Sequence, residues 1–248
     1  MNLGNDRFAA ELLAQTEGFA ALVTGADPTR LVPTCPEWTL EDLVAHVGRG
    51  LRWAAAVTAQ RTFVPFDLVP EAALPDAPVP WVRSAAALLV SAVAANGAGN
   101  PAWTWVEDQR AGFWLRRMTH ELVVHRADAA AALDAPYDVE PALAADGVTE
   151  FFELIPARLR GNQSPALRNL AGNGETLQLH ATDVTGDWRL TRTPDGLAVT
   201  DTTGPADVTV QAPASDLMLV LYGRRPVSEV EVLGDMALFE HVRSNSAF

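Results

Sequence analysis

Apolar residues recur at helical spacing over roughly the first 160 positions. Phe8, Leu12, Phe19 and Leu22 lie on one stripe and predict a helix over Asp6–Thr24. The connection Ala26–Trp38 carries Pro28, Pro33 and Pro36 and reads as a loop. Thr39 then opens a second helix as its N-cap, with Glu41 and Asp42 in the first turn, where carboxylates suit the helix dipole. Leu43, Val47 and Leu51 carry that helix to about Arg61. Pro65, Pro70, Pro75, Pro78 and Pro80 follow in a stretch long for an ordinary connection, which makes it a candidate functional loop. Further helices are predicted at about Val82–Ala95, Gly112–Leu133 and Pro141–Leu159.

After Arg160 the period changes to two. Leu177, Leu179 and Ala181 alternate with polar residues, as do Trp188 with Leu190, Leu197 with Val199, and Val208 with Val210. Pro194-Asp195-Gly196 is a hairpin turn between the second and third of these. Helical segments at Ala214–Tyr222 and near Asp235–Arg243 complete the chain, and no internal repeat is visible. The polar stretch Gly161–Gly174 is the best boundary. The expected fold class is α+β in two domains, a helical bundle over residues 1–160 and a small α+β domain over residues 161–248.

Composition narrows the chemistry. The 248 residues hold 18 basic and 31 acidic side chains, a net charge of −13, and every basic one is arginine. Without lysine there is no Schiff-base chemistry and no phosphate-cradling Gly-Lys-Ser/Thr loop. An acidic chain without basic clusters is a poor partner for nucleic acid or anionic membranes. Cys35 is the single cysteine, which excludes internal disulfides and cysteine-rich metal frameworks. The N-terminus lacks the basic start and apolar run of a signal peptide, and the longest apolar stretch, around Ala85–Ala95, reads as too short for a bilayer. The expectation is a cytoplasmic protein, monomeric or weakly dimeric.

The helix over Gly112–Leu133 is the most informative. Steps of three and four connect Trp114, Met118, Glu121, His125, Asp128 and Ala132. The stripe begins apolar, so it faces the bundle core, yet it sets a carboxylate and an imidazole one turn apart. Leu43, His46, Gly50 and Trp53 form a similar stripe on the second helix. Two imidazole nitrogens and a carboxylate oxygen from two helices suit a divalent metal with one coordination position left over. The competing reading is plain: Glu–His pairs at this spacing are common surface pairs, and a lone helical histidine is usually structural. His120 points a quarter-turn from Glu121 and reads as supporting or surface; His180 and His241 read as structural. HELVVH is not a zincin motif, because His120 and His125, five apart, do not share a face.

Two of these segments resemble a known family. Pro33 to Gly48 (PTCPEWTLEDLVAHVG) and Thr119 to Asp128 (THELVVHRAD) are similar to the mycothiol-dependent maleylpyruvate isomerase family. Ala214 to Arg225 and Val230 to Asp235 resemble that family's second domain, so the likeness covers nearly the whole chain in the family's order. It implies a DinB-like four-helix bundle followed by a sterol-carrier-like domain. It also implies one zinc, or another divalent metal, held by His46, Glu121 and His125, with water at the remaining position at rest and mycothiol sulfur in turnover. Zinc deprotonates a coordinated thiol at neutral pH, so the protein needs no cysteine nucleophile. Cys35 then reads as a small buried residue beside the helix start.

The resemblance further implies an arginine of the second domain that serves the reaction. Arg224 is the best match, with Arg225 as the rival and two surface charges closing a helix as the alternative. The implied activity is addition of a zinc-bound thiolate to a small-molecule electrophile. It would end either in cis–trans isomerisation, as maleylpyruvate to fumarylpyruvate, or in a stable mycothiol adduct. A non-catalytic, metal-containing binding protein is the competing class. It is disfavoured because a purely structural zinc usually has four protein ligands.

Overall fold

Thr39 decides where the second helix begins. Its hydroxyl accepts the Asp42 backbone N–H (3.3 Å), and the Asp42 carboxylate accepts the Thr39 backbone N–H (2.9 Å), closing a capping box. This helix, α2, runs Leu40–Gln60 and ends at Arg61, which adopts a left-handed conformation with φ 59°. α1 (Asn5–Val23), α3 (Pro78–Asn96) and α4 (Gly112–Ala132) complete a four-helix bundle in which α2 packs on α3 and α4, and α1 packs on the same two. The computed structural model describes residues 3–69, 74–161 and 165–247. Pro70 of the proline-rich stretch and positions 162–164 of the expected boundary lie outside the described residues.

Two expectations change in the bundle. Pro78 and Pro80, read as loop, form the first turn of α3, where a missing N–H costs nothing. The helix therefore has 19 residues and is long and apolar enough to cross a membrane by length and composition, against the shorter stretch expected. One face, with Trp81, Val82, Ala85, Ala86, Leu89 and Val93, is buried in the bundle. The second change concerns Ala26–Trp38, which is not all loop. Leu31–Val32 (β1) and Cys35–Thr39 (β2) pair antiparallel around Pro33 and Thr34, in the register Val32↔Cys35 and Leu31↔Thr39. Proline and a two-residue strand hide this ribbon from a period-two search.

The chain divides into two compact units, Leu3–Tyr137 and a second from Asp138 onward. The boundary therefore falls about twenty residues before the expected one. α5 (Pro141–Arg160), read as the last helix of the bundle, belongs to the C-terminal unit and packs on α6 (Ala214–Leu221). Its apolar stripe, including Leu143, Val148, Phe151 and Ile155, announces burial without saying against what.

The sheet of that unit has the order β5-β4-β3-β6-β7, formed by Gly196–Thr200, Asp187–Thr193, Thr176–Ala181, Val208–Ala212 and Glu231–Gly234. Among the described residues of this sheet only β3 and β6 run parallel. Thr193 pairs with Gly196, so Pro194-Asp195 is the expected hairpin turn, and Gly196 takes the positive φ of 124°. Leu177, Leu179, Leu190, Val208 and Val210 form the buried face, and α7 (Met236–Ser246) packs near β6. β7 escaped the sequence reading because it is an edge strand with Leu233 half in water, leaving no alternation to detect.

Candidate metal centre

The two stripes meet as their spacing requires. His46 Nε2 lies 3.0 Å from Glu121 Oε1, and His125 Nε2 lies 3.1 Å from the same oxygen. The three donor atoms fall within 4.8 Å of one another. Two imidazoles and a carboxylate with ligand bonds of about 2.0–2.2 Å sit about 3.3 Å apart around a tetrahedral ion. The donor set and its spacing therefore fit a divalent cation. His46 is the accessible member, with 41% of its side chain exposed, whereas His125 has 7%.

Behind the donors is a supporting layer. Asp128, fully buried, lies 2.8 Å from His125 Nδ1, which fixes the ring with Nε2 toward Glu121. The same carboxylate accepts the Thr34 hydroxyl at 2.6 Å and lies 3.9 Å from Cys35 Sγ. The β1–β2 ribbon is thus tied to α4 at the residue that orients a donor. Cys35 is half-buried, not buried as expected, and its thiol faces Asp128. Arg117, one turn before Glu121 on α4, pairs with Glu121 Oε2. Trp38, at the end of the ribbon, lies 4.7 Å from the His46 ring and 6.0 Å from the His125 ring, centroid to centroid.

The electrostatics suit a cation. Burial works to raise the Glu121 pKa, but the Arg117 charge and hydrogen bonds from His125 and His46 outweigh it and hold the carboxyl well below its usual range. Burial works to lower the His125 pKa, but Asp128 and Glu121 outweigh that and raise it to about 9. In the absence of a metal a proton supplies positive charge between these carboxylates, at the position a divalent ion would neutralise.

The remaining predicted residues lie elsewhere. His120 is not at the surface: it is fully buried and meets the Phe8 ring edge-on at 5.8 Å. His180 pairs with Asp187 on the exposed face of the sheet (2.9 Å), and His241 approaches the Asn169 carbonyl (2.9 Å). Arg224 follows Gly223, whose φ of 72° ends α6, and its Nη1 donates to the Tyr222 carbonyl at 2.8 Å. Arg225 is committed to Asp216 (2.5 Å) and Glu229 (3.3 Å). Sequence reasoning missed the roles of Arg117, Trp38 and Thr34. The one available signal was the position of Arg117, a turn before Glu121.

Fold and site define a two-unit protein, a helical bundle with a two-histidine, one-carboxylate donor set followed by a small α+β unit. Residues 9–130 match the mycothiol maleylpyruvate isomerase N-terminal domain and residues 142–241 match the C-terminal domain of the same enzymes. The chain belongs to the mycothiol-dependent maleylpyruvate isomerase family. Its architecture is similar to the crystal structure of a mycothiol-dependent maleylpyruvate isomerase, at 18% identity and a TM-score of 0.58 over 93% of each chain. A histidine-to-alanine mutant of that enzyme gives 17% identity and a TM-score of 0.59, again over 93% of each chain. Among curated protein sequences, none matches this chain. The expected fold class, a DinB-like bundle followed by a small α+β domain, is the one observed.

Proposed function

We propose that this chain is a zinc- and mycothiol-dependent enzyme that adds the cosubstrate's thiolate to an electrophilic alkene. The observation that carries this reading is the convergence of His46 Nε2, Glu121 Oε1 and His125 Nε2 from two helices. Three donors rather than four favour a catalytic over a structural ion. When bound, the cation supplies the charge that makes a coordinated thiol a thiolate at neutral pH. Acidic composition and a single cysteine, which leaves no internal disulfide, support a cytoplasmic setting.

The chain's own residues prepare the site. Asp128 fixes the tautomer and direction of the His125 ring. Arg117 holds the Glu121 oxygen that does not face the histidines. Trp38 lies beside His46, its ring tilted against the imidazole. Arg224, the arginine that the family resemblance matches, is proposed to receive a substrate carboxylate, with Arg225, which pairs with Asp216 and Glu229, as the rival. In the reaction a sulfur–carbon bond forms and the alkene π pair moves onto the substrate. In isomerisation the new single bond rotates and the sulfur–carbon bond breaks to give the trans alkene. In transfer the carbanion takes a proton and the adduct persists.

Mass spectrometry of the zinc-loaded protein with mycothiol and a panel of electrophiles tests this. Adducts or trans product are expected only with added thiol, and Cys35→Ser should retain turnover. Full turnover without thiol, or its loss in Cys35→Ser with the metal retained, contradicts the proposal.

A further inference from the structure

The facing stripes of α2 and α4 meet in three successive rungs. His46 meets Glu121 at 3.0 Å. One turn on, Gly50 faces Met118, and a Cβ added at Gly50 would lie 3.3 Å from Met118 Cε. At the next turn Trp53 meets Trp114 edge-on, with centroids 5.0 Å apart. Seven helical residues separate the first rung from the third on each helix, about 10 Å. The two helices therefore run antiparallel, and the middle rung has no α2 side chain.

The third rung is the floor of an aromatic ledge. Trp105 stacks on Trp53 at 5.4 Å and 24°, Phe66 lies 6.1 Å from Trp53, and Phe63 lies 4.9 Å from Trp103. A bundle core requires the floor, where Trp53 and Trp114 are buried. It does not require the outer rings, yet Phe63, Phe66 and Trp105 expose 52%, 50% and 37% of their surface together on one patch. Two of the indole N–H groups and the Thr104 hydroxyl are already used within the unit. Trp53 Nε1 donates to the Val64 carbonyl (2.7 Å) and Trp114 Nε1 to the Trp103 carbonyl (2.8 Å), and the Thr104 hydroxyl donates to the carbonyls of Val106 and Asp108. The exposed part of the ledge is mostly ring face, which suits an apolar group and not a carboxylate.

Resting on the function proposed above, we infer that the electrophile carries an apolar group, aryl or branched alkyl, about two helical turns from its reacting carbon. Trp53, Trp105 and Phe66 seat that group. The substrate class is then a hydrophobic electrophile, larger than a short dicarboxylate.

The probes are N-(4-phenylbutyl)maleimide and N-methylmaleimide, which share one reactive ring. Mycothiol adds across it, sulfur to one carbon and a proton to the other, with nothing oxidised. The zinc-loaded enzyme should prefer the phenylbutyl probe at least tenfold in kcat/KM above the uncatalysed reaction. Trp105→Ala combined with Phe66→Ala should lower that ratio at least fivefold, whereas Leu88→Ala on the outer face of α3 should keep it. No preference, or a preference that survives the double substitution, overturns the inference while leaving the function intact. If neither maleimide is turned over the proposed function fails, and calorimetric titration with unreactive N-(4-phenylbutyl)succinimide then decides. Binding that weakens at least fivefold in the double variant supports the ledge; no binding, or equal binding, overturns it.

Discussion

Asp128 holds His125 from behind: its Oδ2 lies 2.8 Å from Nδ1, while Nε2 of the same ring lies 3.1 Å from Glu121. The relationship divides the histidine into an anchored edge and a presented edge. Because Asp128 also accepts the Thr34 hydroxyl, one carboxylate ties the β1–β2 ribbon to the donor set.

Asp128→Asn keeps the shape and removes the charge. Zinc affinity should fall by about 10–100-fold, the usual effect of losing a carboxylate behind a ligating imidazole. Competition with a chromophoric chelator measures it, and circular dichroism should show an unchanged helix content. Unchanged affinity would mean that the buried carboxylate serves only the ribbon.

Much of this site is legible in the amino-acid sequence, because a helix converts spacing directly into direction. His46, Glu121, His125 and Asp128 all lie on stripes that begin with apolar residues, and all four point where those stripes point. The Thr39 cap is equally local, a matter of three residues. Trp38 and Thr34 were not legible, since a ribbon of two and five residues interrupted by proline has no periodicity to place a side chain. The membership of α5 was hidden for a different reason. Its pattern specifies a buried face, but the choice between bundle and sheet belongs to tertiary packing.

Gly48 lets the Trp81 ring of α3 lie directly on the α2 backbone. A Cβ there would lie 1.8 Å from Trp81 Cζ3 and 2.4 Å from two further ring atoms, and the indole is buried. Gly48→Ala should destabilise the bundle by about 1–3 kcal/mol through overpacking, beyond any gain in helix propensity. Thermal unfolding followed by circular dichroism checks this. An unchanged midpoint would show that Trp81 repacks freely.

Arg224→Ala should lower turnover of a carboxylate-bearing electrophile more than about tenfold, matching the roughly 1.5–3 kcal/mol of a charge-assisted hydrogen bond. Arg225→Ala should do much less, because that guanidinium is engaged with Asp216 and Glu229. Zinc content should be unchanged in both. The reverse ranking would move the role to Arg225, and small equal effects would remove the second unit from charge recognition.

X-ray absorption at the zinc edge, with and without mycothiol, tests the central claim most directly. Without thiol the account predicts a shell of nitrogen and oxygen only, from His46, Glu121, His125 and water. With mycothiol it predicts one sulfur neighbour at about 2.3 Å, the ordinary zinc–sulfur distance, in Cys35→Ser as in the unmodified protein. A shell that gains no sulfur, or one that contains Cys35 sulfur before thiol is added, would contradict it.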